Sequence, residues 1–335
     1  MKKYVNLFVF VFMIGACLSQ VKAQTKSAVS YKNPVVDIAM PDPTVIKAAD
    51  GYFYVYATES TRNVPIMKSK DLVEWTYCNT AFTNKTRPRF EPKAGIWAPD
   101  INYINGKYVL YYAMSVWGGE QTCGIGVATA NSPQGPFTDH GKMFRSNEIG
   151  VQNSIDPSLL QYEGRNYLVW GSFRGIYVIE LTADGLSIMS GAKKKRIAGT
   201  AFEAVYIHKH GDYYYMFASI GSCCQGVKST YKVVVGRSKK VWGPYKDKTG
   251  KPMLKNGYSL VIGANDHFVG NGHGSQIIRD DAGQDWLLYH GFSRSTPENG
   301  RILLLDQIKW DQEGWPYVEG GSPSYETQKA PVFNN

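Results

Sequence analysis

Short runs of alternating, β-branched and aromatic residues recur from about residue 42 to residue 310, each bounded by Gly, Pro, Asn or Asp. No long apolar period of 3.6 residues interrupts them. Period-two alternation between turn residues predicts strands rather than helices. The runs are organised as one phrase stated five times. Its openings are Asp42-Pro-Thr-Val-Ile, Asp100-Ile-Asn-Tyr-Ile, Asp156-Pro-Ser-Leu-Leu, Glu203-Ala-Val-Tyr-Ile and His273-Gly-Ser-Gln-Ile. A turn with glycine follows each (Gly51, Gly106, Gly164, Gly211, Gly283). An aromatic-rich strand comes next: Tyr52–Tyr56, Tyr108–Tyr112, Tyr167–Trp170, Tyr213–Phe217 and Trp286–Tyr289.

Successive openings lie 58, 56, 47 and 70 residues apart. Further strands follow within each unit, as in Gly124–Ala130 and Tyr231–Ser238, which both run on to a Gly-Pro-aromatic turn. Several short strands repeated at this period predict an all-β fold, a five-bladed β-propeller of four-stranded antiparallel blades around a central channel. Each blade is too small to bury both faces alone, so neighbours stack about one axis. The opening strand is expected innermost, with its first residue near one mouth of the channel. A double β-sandwich would account for the strands but not for the five-fold phrase. The expected domain covers residues 33–320, with residues 24–32 as a short disordered lead.

Composition agrees with this picture. The chain of 335 residues is 43% hydrophobic and 19% charged, with 34 glycines and 23 tyrosines, which suits a turn-rich β protein. The N-terminus adds a compartment. Lys2 and Lys3 precede the apolar run Val5–Ala16, and Val21-Lys22-Ala23 has small residues where a signal peptide is cut, so residues 1–23 read as a signal peptide. The run is too short to span a membrane. A lipoprotein signal ending at Cys17 is the alternative. Both predict export, periplasmic or secreted in the first case and surface-anchored in the second.

Cleavage after Ala23 leaves Cys78, Cys123, Cys223 and Cys224. Their number is no disulfide scaffold, and adjacent cysteines do not make a metal knuckle. Reduced, partly buried thiols are the expectation. Net charge is +9, and losing Lys2, Lys3 and Lys22 lowers it to about +6. The longest basic run, Lys193–Arg196, reads as a solvated loop, and nothing accompanies it that would form a nucleic-acid module.

A repeated fold brings carboxyl groups distant in sequence to one centre. Hydrolysis of a glycosidic bond needs two such groups: a protonated acid for the leaving oxygen, and a carboxylate that, in inverting enzymes, activates water. Asp42 and Glu203 are the candidates, with Asp156 nearer Glu203 and able to raise its pKa. Asp before Pro is also an ordinary turn residue. Glu203 is the harder to read as structural, since it stands in the apolar stretch Ala201–Val205. Trp97 and Trp117 offer flat faces to sugar rings, or to the core.

The chain resembles glycoside hydrolase family 43, and within it the endo-1,5-α-L-arabinanases. The phrases that carry the resemblance include Trp97-Ala-Pro-Asp-Ile, Ser154-Ile-Asp156-Pro, Gly171-Ser172-Phe, Phe202-Glu203-Ala, Ser222-Cys-Cys-Gln-Gly and Gly272-His273-Gly-Ser. It implies a five-bladed propeller and inverting hydrolysis, with Asp42 as general base, Glu203 as general acid, and Asp156 tuning and orienting the acid. It also implies a calcium ion in the channel at His273, although calcium prefers oxygen ligands. Trp97, Asp100, Trp117 and Ser172 are the candidate substrate contacts. Val205, Pro41 and the stretch Ser219–Ser222 depart from the arabinanase pattern, at positions expected on the cleft edge. Three readings therefore stand: an endo-acting arabinanase, an exo-acting arabinofuranosidase or β-xylosidase/xylanase, and a non-catalytic sugar-binding propeller. The implied partner is plant cell-wall arabinan, or an arabinose- or xylose-containing hemicellulose, met by a monomer.

Overall fold

The computed structural model describes Met1 and residues 29–334. Apart from Met1, the expected signal peptide, including Cys17, lies outside the described residues.

Five antiparallel sheets follow one another along the chain in simple order. Blade 1 holds Thr44–Lys47, Phe53–Tyr56, Pro65–Ser69 and Thr76–Thr80; blade 2 holds Gly95–Ile104, Lys107–Ser115, Gly124–Ala130 and Thr138–Arg145. Blade 3 holds Ser158–Tyr162, Arg165–Trp170, Ile176–Glu180 and Lys195–Ala198; blade 4 holds Glu203–His210, Tyr213–Ile220, Lys232–Ser238 and Ser259–Ile262. In blade 5 the inner strand is broken: Phe268–Gly272 and Ile278–Arg279 both pair with Asp285–Ser293, followed by Ile302–Trp310 and Pro316–Tyr317. The structure is the propeller that the repeats predict.

Burial explains why these segments fold this way. The second strand of each blade is sandwiched between neighbouring blades and reads as a nearly unbroken apolar run; Asp285–Ser293 is buried at every position. The outermost strand of blade 1, Thr76–Thr80, is mainly exposed. Five main apolar clusters fill the five gaps between blades. One joins Tyr54 and Tyr56 to Ile96 and Leu110, and the last joins Leu303 and Leu305 back to Val45 and Phe53. That last cluster closes the ring. Buried apolar area stabilises by about 25 cal/mol per Å², so a blade pulled from the ring loses most of what holds it.

Closure also uses both ends of the described chain. Ser30–Tyr31 pairs with Gln328–Lys329. Asn33 exchanges hydrogen bonds with the backbone of Leu305, its Nδ2 donating to the carbonyl and its Oδ1 accepting from the N–H. Residues 30–32 are thus tied down rather than part of a disordered lead, because Gln328–Lys329 offers Ser30–Tyr31 backbone partners. The fold likewise continues past residue 320: the Phe333 ring packs 4.6 Å from that of Phe53. Lys195 and Arg196 are not in a loop but begin the edge strand of blade 3, where exposed charges discourage further strand pairing.

Candidate active site

The openings of the five repeats converge, but not in a common register. Asp42, Ala98, Asp156, Ala204 and His273 all have left-handed backbone, with φ of 54°, 40°, 57°, 54° and 50°. These five residues are the equivalent positions. Glu203 therefore stands one residue before the shared position and Asp100 two residues after it. Pairing in the inner strands of blades 2 and 4 shifts between Trp97 and Asp100 and between Glu203 and Tyr206. The bulges re-aim side chains. A non-glycine residue with such φ costs on the order of 1–3 kcal/mol and persists where its surroundings over-determine it.

One cleft of about 740 Å³ lies at this mouth, and all five blades contribute to its wall. Asp42, Asp156, Glu203 and His273 line it together, as do Trp97, Trp117 and Ser172. Asp100 does not. It is 1% exposed and lies deeper in the channel, where Oδ1 accepts from the Tyr206 hydroxyl at 2.6 Å and Oδ2 from the Leu159 N–H at 2.7 Å. Thr44, its equivalent in blade 1, donates to it at 3.4 Å. Asp100 thus ties blades 1, 2, 3 and 4 around the axis and is kept from substrate by its register.

Of the three carboxyl groups Asp42, Asp156 and Glu203, Asp42 is the most heavily partnered. Its Oδ1 meets Arg301 Nη1 at 2.7 Å and His273 Nδ1 at 3.2 Å, and its Oδ2 accepts from the Thr58 hydroxyl at 2.6 Å. Thr58 in turn accepts from the Ala98 N–H at 2.7 Å. Burial alone raises the Asp42 pKa, but Arg301 and His273 outweigh it and hold the carboxyl well below its usual range. His290 Nδ1 accepts from the Asp42 backbone N–H at 3.0 Å. That nitrogen therefore carries a lone pair, so its 3.3 Å approach to Asp42 Oδ1 is not an ion pair. Burial, the largest cause, pushes His290 down to about 4, in agreement with a neutral ring.

The other two acids shift the opposite way. Burial is the main cause of a raised Glu203 pKa; the charge of Asp42 adds to it, and the Ser172 hydroxyl, donating to Oε2 at 2.6 Å, opposes it. Asp156 is raised by burial and further by the charges of Glu203 and Asp42. Its Oδ2 accepts from the N–H of Ala204, the residue next to Glu203, at 3.2 Å. For His273, burial lowers the pKa, but Asp42, Asp156 and Glu203 together outweigh it and favour the imidazolium. Glu59 and Glu120 also line the cleft but are paired with Arg87 and Arg174, which leaves three carboxyl groups facing two cations, Arg301 and His273. The cleft is electrically neutral when the Asp156–Glu203 pair keeps one proton. Buried unpaired charge is costly, so one ionised base and one retained acid proton is the favoured state.

Shape supports the same arrangement. Trp97 and Trp117 stand with ring centres 5.4 Å apart at 50°, and Trp117 is 79% exposed. Gly272 lets the Tyr231 ring approach, since a Cβ there would lie 2.2 Å from it. On the opposite wall Cys223 and Cys224 are joined by a disulfide, while Cys78 and Cys123 are free. The expectation of reduced thiols is thus corrected for the adjacent pair. Neighbouring cysteines need no fold to bring their sulfurs together, so a low cysteine count does not argue against their bonding. Sequence reasoning also missed Arg301, Thr58, His290 and Asn153, the last donating to Ser172 Oγ at 3.0 Å. Arg301 alone carried a signal, a charge set directly before the apolar run Ile302–Leu305.

His273 offers calcium little. Its Nδ1 is engaged by Asp42, and calcium takes six to eight oxygen ligands. This donor set does not fit a protein-held calcium ion.

A propeller mouth that holds an ionised carboxylate, a protonatable carboxyl pair and exposed indole faces defines a glycoside hydrolase. The profile of the glycosyl hydrolases family 43 matches residues 31–316, and the chain belongs to that family. It is 36% identical to an extracellular exo-α-(1→5)-L-arabinofuranosidase of Cellvibrio japonicus, over 83% of this chain and 86% of the relative. It is also 36% identical to the extracellular endo-α-(1→5)-L-arabinanase 1 of Bacillus subtilis, over 82% and 86%. The solved α-L-arabinanase of Cellvibrio cellulosa in complex with arabinohexaose superposes with a TM-score of 0.77 at 34% identity, covering 86% of this chain and 98% of that one.

Proposed function

We propose that the protein is an exported arabinan hydrolase that cuts α-1,5 bonds between arabinofuranose units within the chain, with inversion at the anomeric carbon. The observation that carries the reading is the opposite displacement of two pKa values in one cleft, Asp42 down and Glu203 up. Asp42 is the base: ionised, it takes a proton from the attacking water. Glu203 is the acid: it gives its proton to the departing glycosidic oxygen. Asp156 shares the proton with Glu203 and, through the Ala204 N–H, fixes the backbone from which Glu203 projects. Ser172 orients the acid rather than substrate. Trp97 and Trp117 supply the stacking surface. No step is assigned to a calcium ion; one beside His273 would be held mainly by water or carbonyl oxygens.

Export is supported by two relatives named extracellular, and among the described residues no helix is long and apolar enough to cross a membrane. Cleavage near Ala23, rather than lipidation at Cys17, and a monomeric state complete the reading. An exo-acting arabinofuranosidase is the second reading, because a relative of that name is equally similar. Incubation with debranched arabinan, xylan and nitrophenyl glycosides, with sizing of products and NMR of the first anomer released, separates these. Mixed oligosaccharides of inverted configuration are expected from arabinan. Monomer from the outset would replace endo action by exo, and a retained anomer would exclude inversion. Glu203→Gln should lower arabinan turnover by roughly 10²–10⁴-fold; unchanged turnover would remove the assigned acid.

A further inference from the structure

The opposite end of the blade 4 inner strand carries a second cluster of chemistry-bearing side chains. Glu203 opens that strand at the cleft, and His208 and His210 stand near its other end. Residues two apart on a strand face the same side, and here that side meets blade 5. Asp285, at the start of the Asp285–Ser293 strand, lies there with only 3% exposure. Ligand atoms of His208, His210 and Asp285 all lie within 4.8 Å of one another. Seven residues of strand at about 3.3 Å each put this cluster roughly 23 Å from Glu203.

We propose that His208, His210 and Asp285 form a binding site for a zinc-class divalent ion that joins blade 4 to blade 5. His210 Nδ1 is 3.6 Å from Asp285 Oδ2. Two ligands at about 2.0–2.2 Å from a tetrahedral ion are about 3.4 Å apart, so this pair is already nearly spaced for one. The ligands are held by neighbours. Trp310 Nε1 donates to Asp285 Oδ2 at 2.8 Å, and Arg279 Nη1 holds Oδ1 at 3.3 Å. The His210 ring lies flat on Trp310, 3.7 Å between centres and 9° between planes. Such outer contacts fix ring orientation and carboxylate direction. Arg279 opposes a cation, but it is 60% exposed and its charge is screened by solvent. Two imidazoles and one carboxylate suit zinc, leaving a position for water.

The test is a calorimetric titration of zinc chloride into purified protein stripped with chelator and dialysed, beside His208→Gln, His210→Gln and the double variant. One equivalent is expected to bind, at least roughly tenfold more weakly in each single variant. Zinc should raise the melting temperature of the parent only, and chelator-treated variants should hydrolyse arabinan like the parent. In case a variant misfolds, the parent is also labelled with diethylpyrocarbonate with and without zinc; the metal should protect His208 and His210 and spare His267 and His140. Full binding by a folded double variant, unprotected His208 and His210, or no binding at all would each overturn the assignment.

Discussion

Arg301 and Asp42 stand 259 positions apart in the chain, and their side chains meet at 2.7 Å. The contact runs from blade 5 to blade 1 across the seam where the ring closes. It keeps the proposed base ionised. An arginine beside a carboxylate typically lowers its pKa by one to three units. Arg301→Ala should therefore raise the Asp42 pKa and move the acidic limb of the kcat/KM profile upward by about one unit or more. The loss of activity should be largest at low pH and shrink toward neutrality. Initial rates from pH 4 to 8 check this, and an unmoved limb would mean that Arg301 does not tune the base.

Ser172→Ala acts on the other limb. The hydroxyl donates to Glu203 and so favours the charged form. Its loss should raise the acid's pKa, shift the basic limb upward and reduce kcat about tenfold through lost orientation. A profile that falls in height without shifting would leave Ser172 a packing residue.

Asp100→Ala should affect stability rather than turnover. It leaves the Tyr206 hydroxyl and the Leu159 N–H without their acceptor in the channel. A buried donor left without its acceptor costs about 1–3 kcal/mol. Urea unfolding should show that loss, while kcat/KM at a temperature where the variant is folded stays within about tenfold of the parent.

Stability should also depend on pH in a stated direction. Burial pushes Asp100 and Asp306 up to about 6, against a usual value near 3.9. A folded-state pKa above the unfolded one means that the folded protein binds more protons. The contribution is present below about pH 4 and is lost as pH rises to about 6. Asp42 and Glu59 are shifted down and contribute above their unfolded values, about pH 4, losing their effect as pH falls further. The melting temperature should thus be highest near pH 5, fall toward pH 8 and collapse below about 4. Melts at constant ionic strength check it; a value rising from pH 5 to 8 would contradict it.

The repeat was legible because each blade restates the same alternation, and the five gaps between blades demand the same apolar faces. Register was not. Asp100 and Glu203 look equivalent to Asp42 in sequence, yet the bulges at Ala98 and Ala204 send one into the channel and the other into the cleft. A bulge turns on local backbone angles that Ala does not announce. The acids were legible as types, but their electrostatic states were not. Those depend on Arg301, Thr58 and Ser172, which come from other strands or loops and carry no repeated phrase. Asp156 was expected to raise Glu203; burial is the largest cause and Asp42 supplies the charge that adds to it, while it is Asp156 that is raised by Glu203.

Ser30–Tyr31 and Gln328–Lys329 lie side by side in one small sheet. Adjacent strands are about 4.8 Å apart, so a short peptide could join these two segments across the seam. The chain could then be opened at a loop between blades instead, with the same five interfaces preserved. Which blade comes first is an accident of where synthesis starts, whereas the ring itself has no beginning.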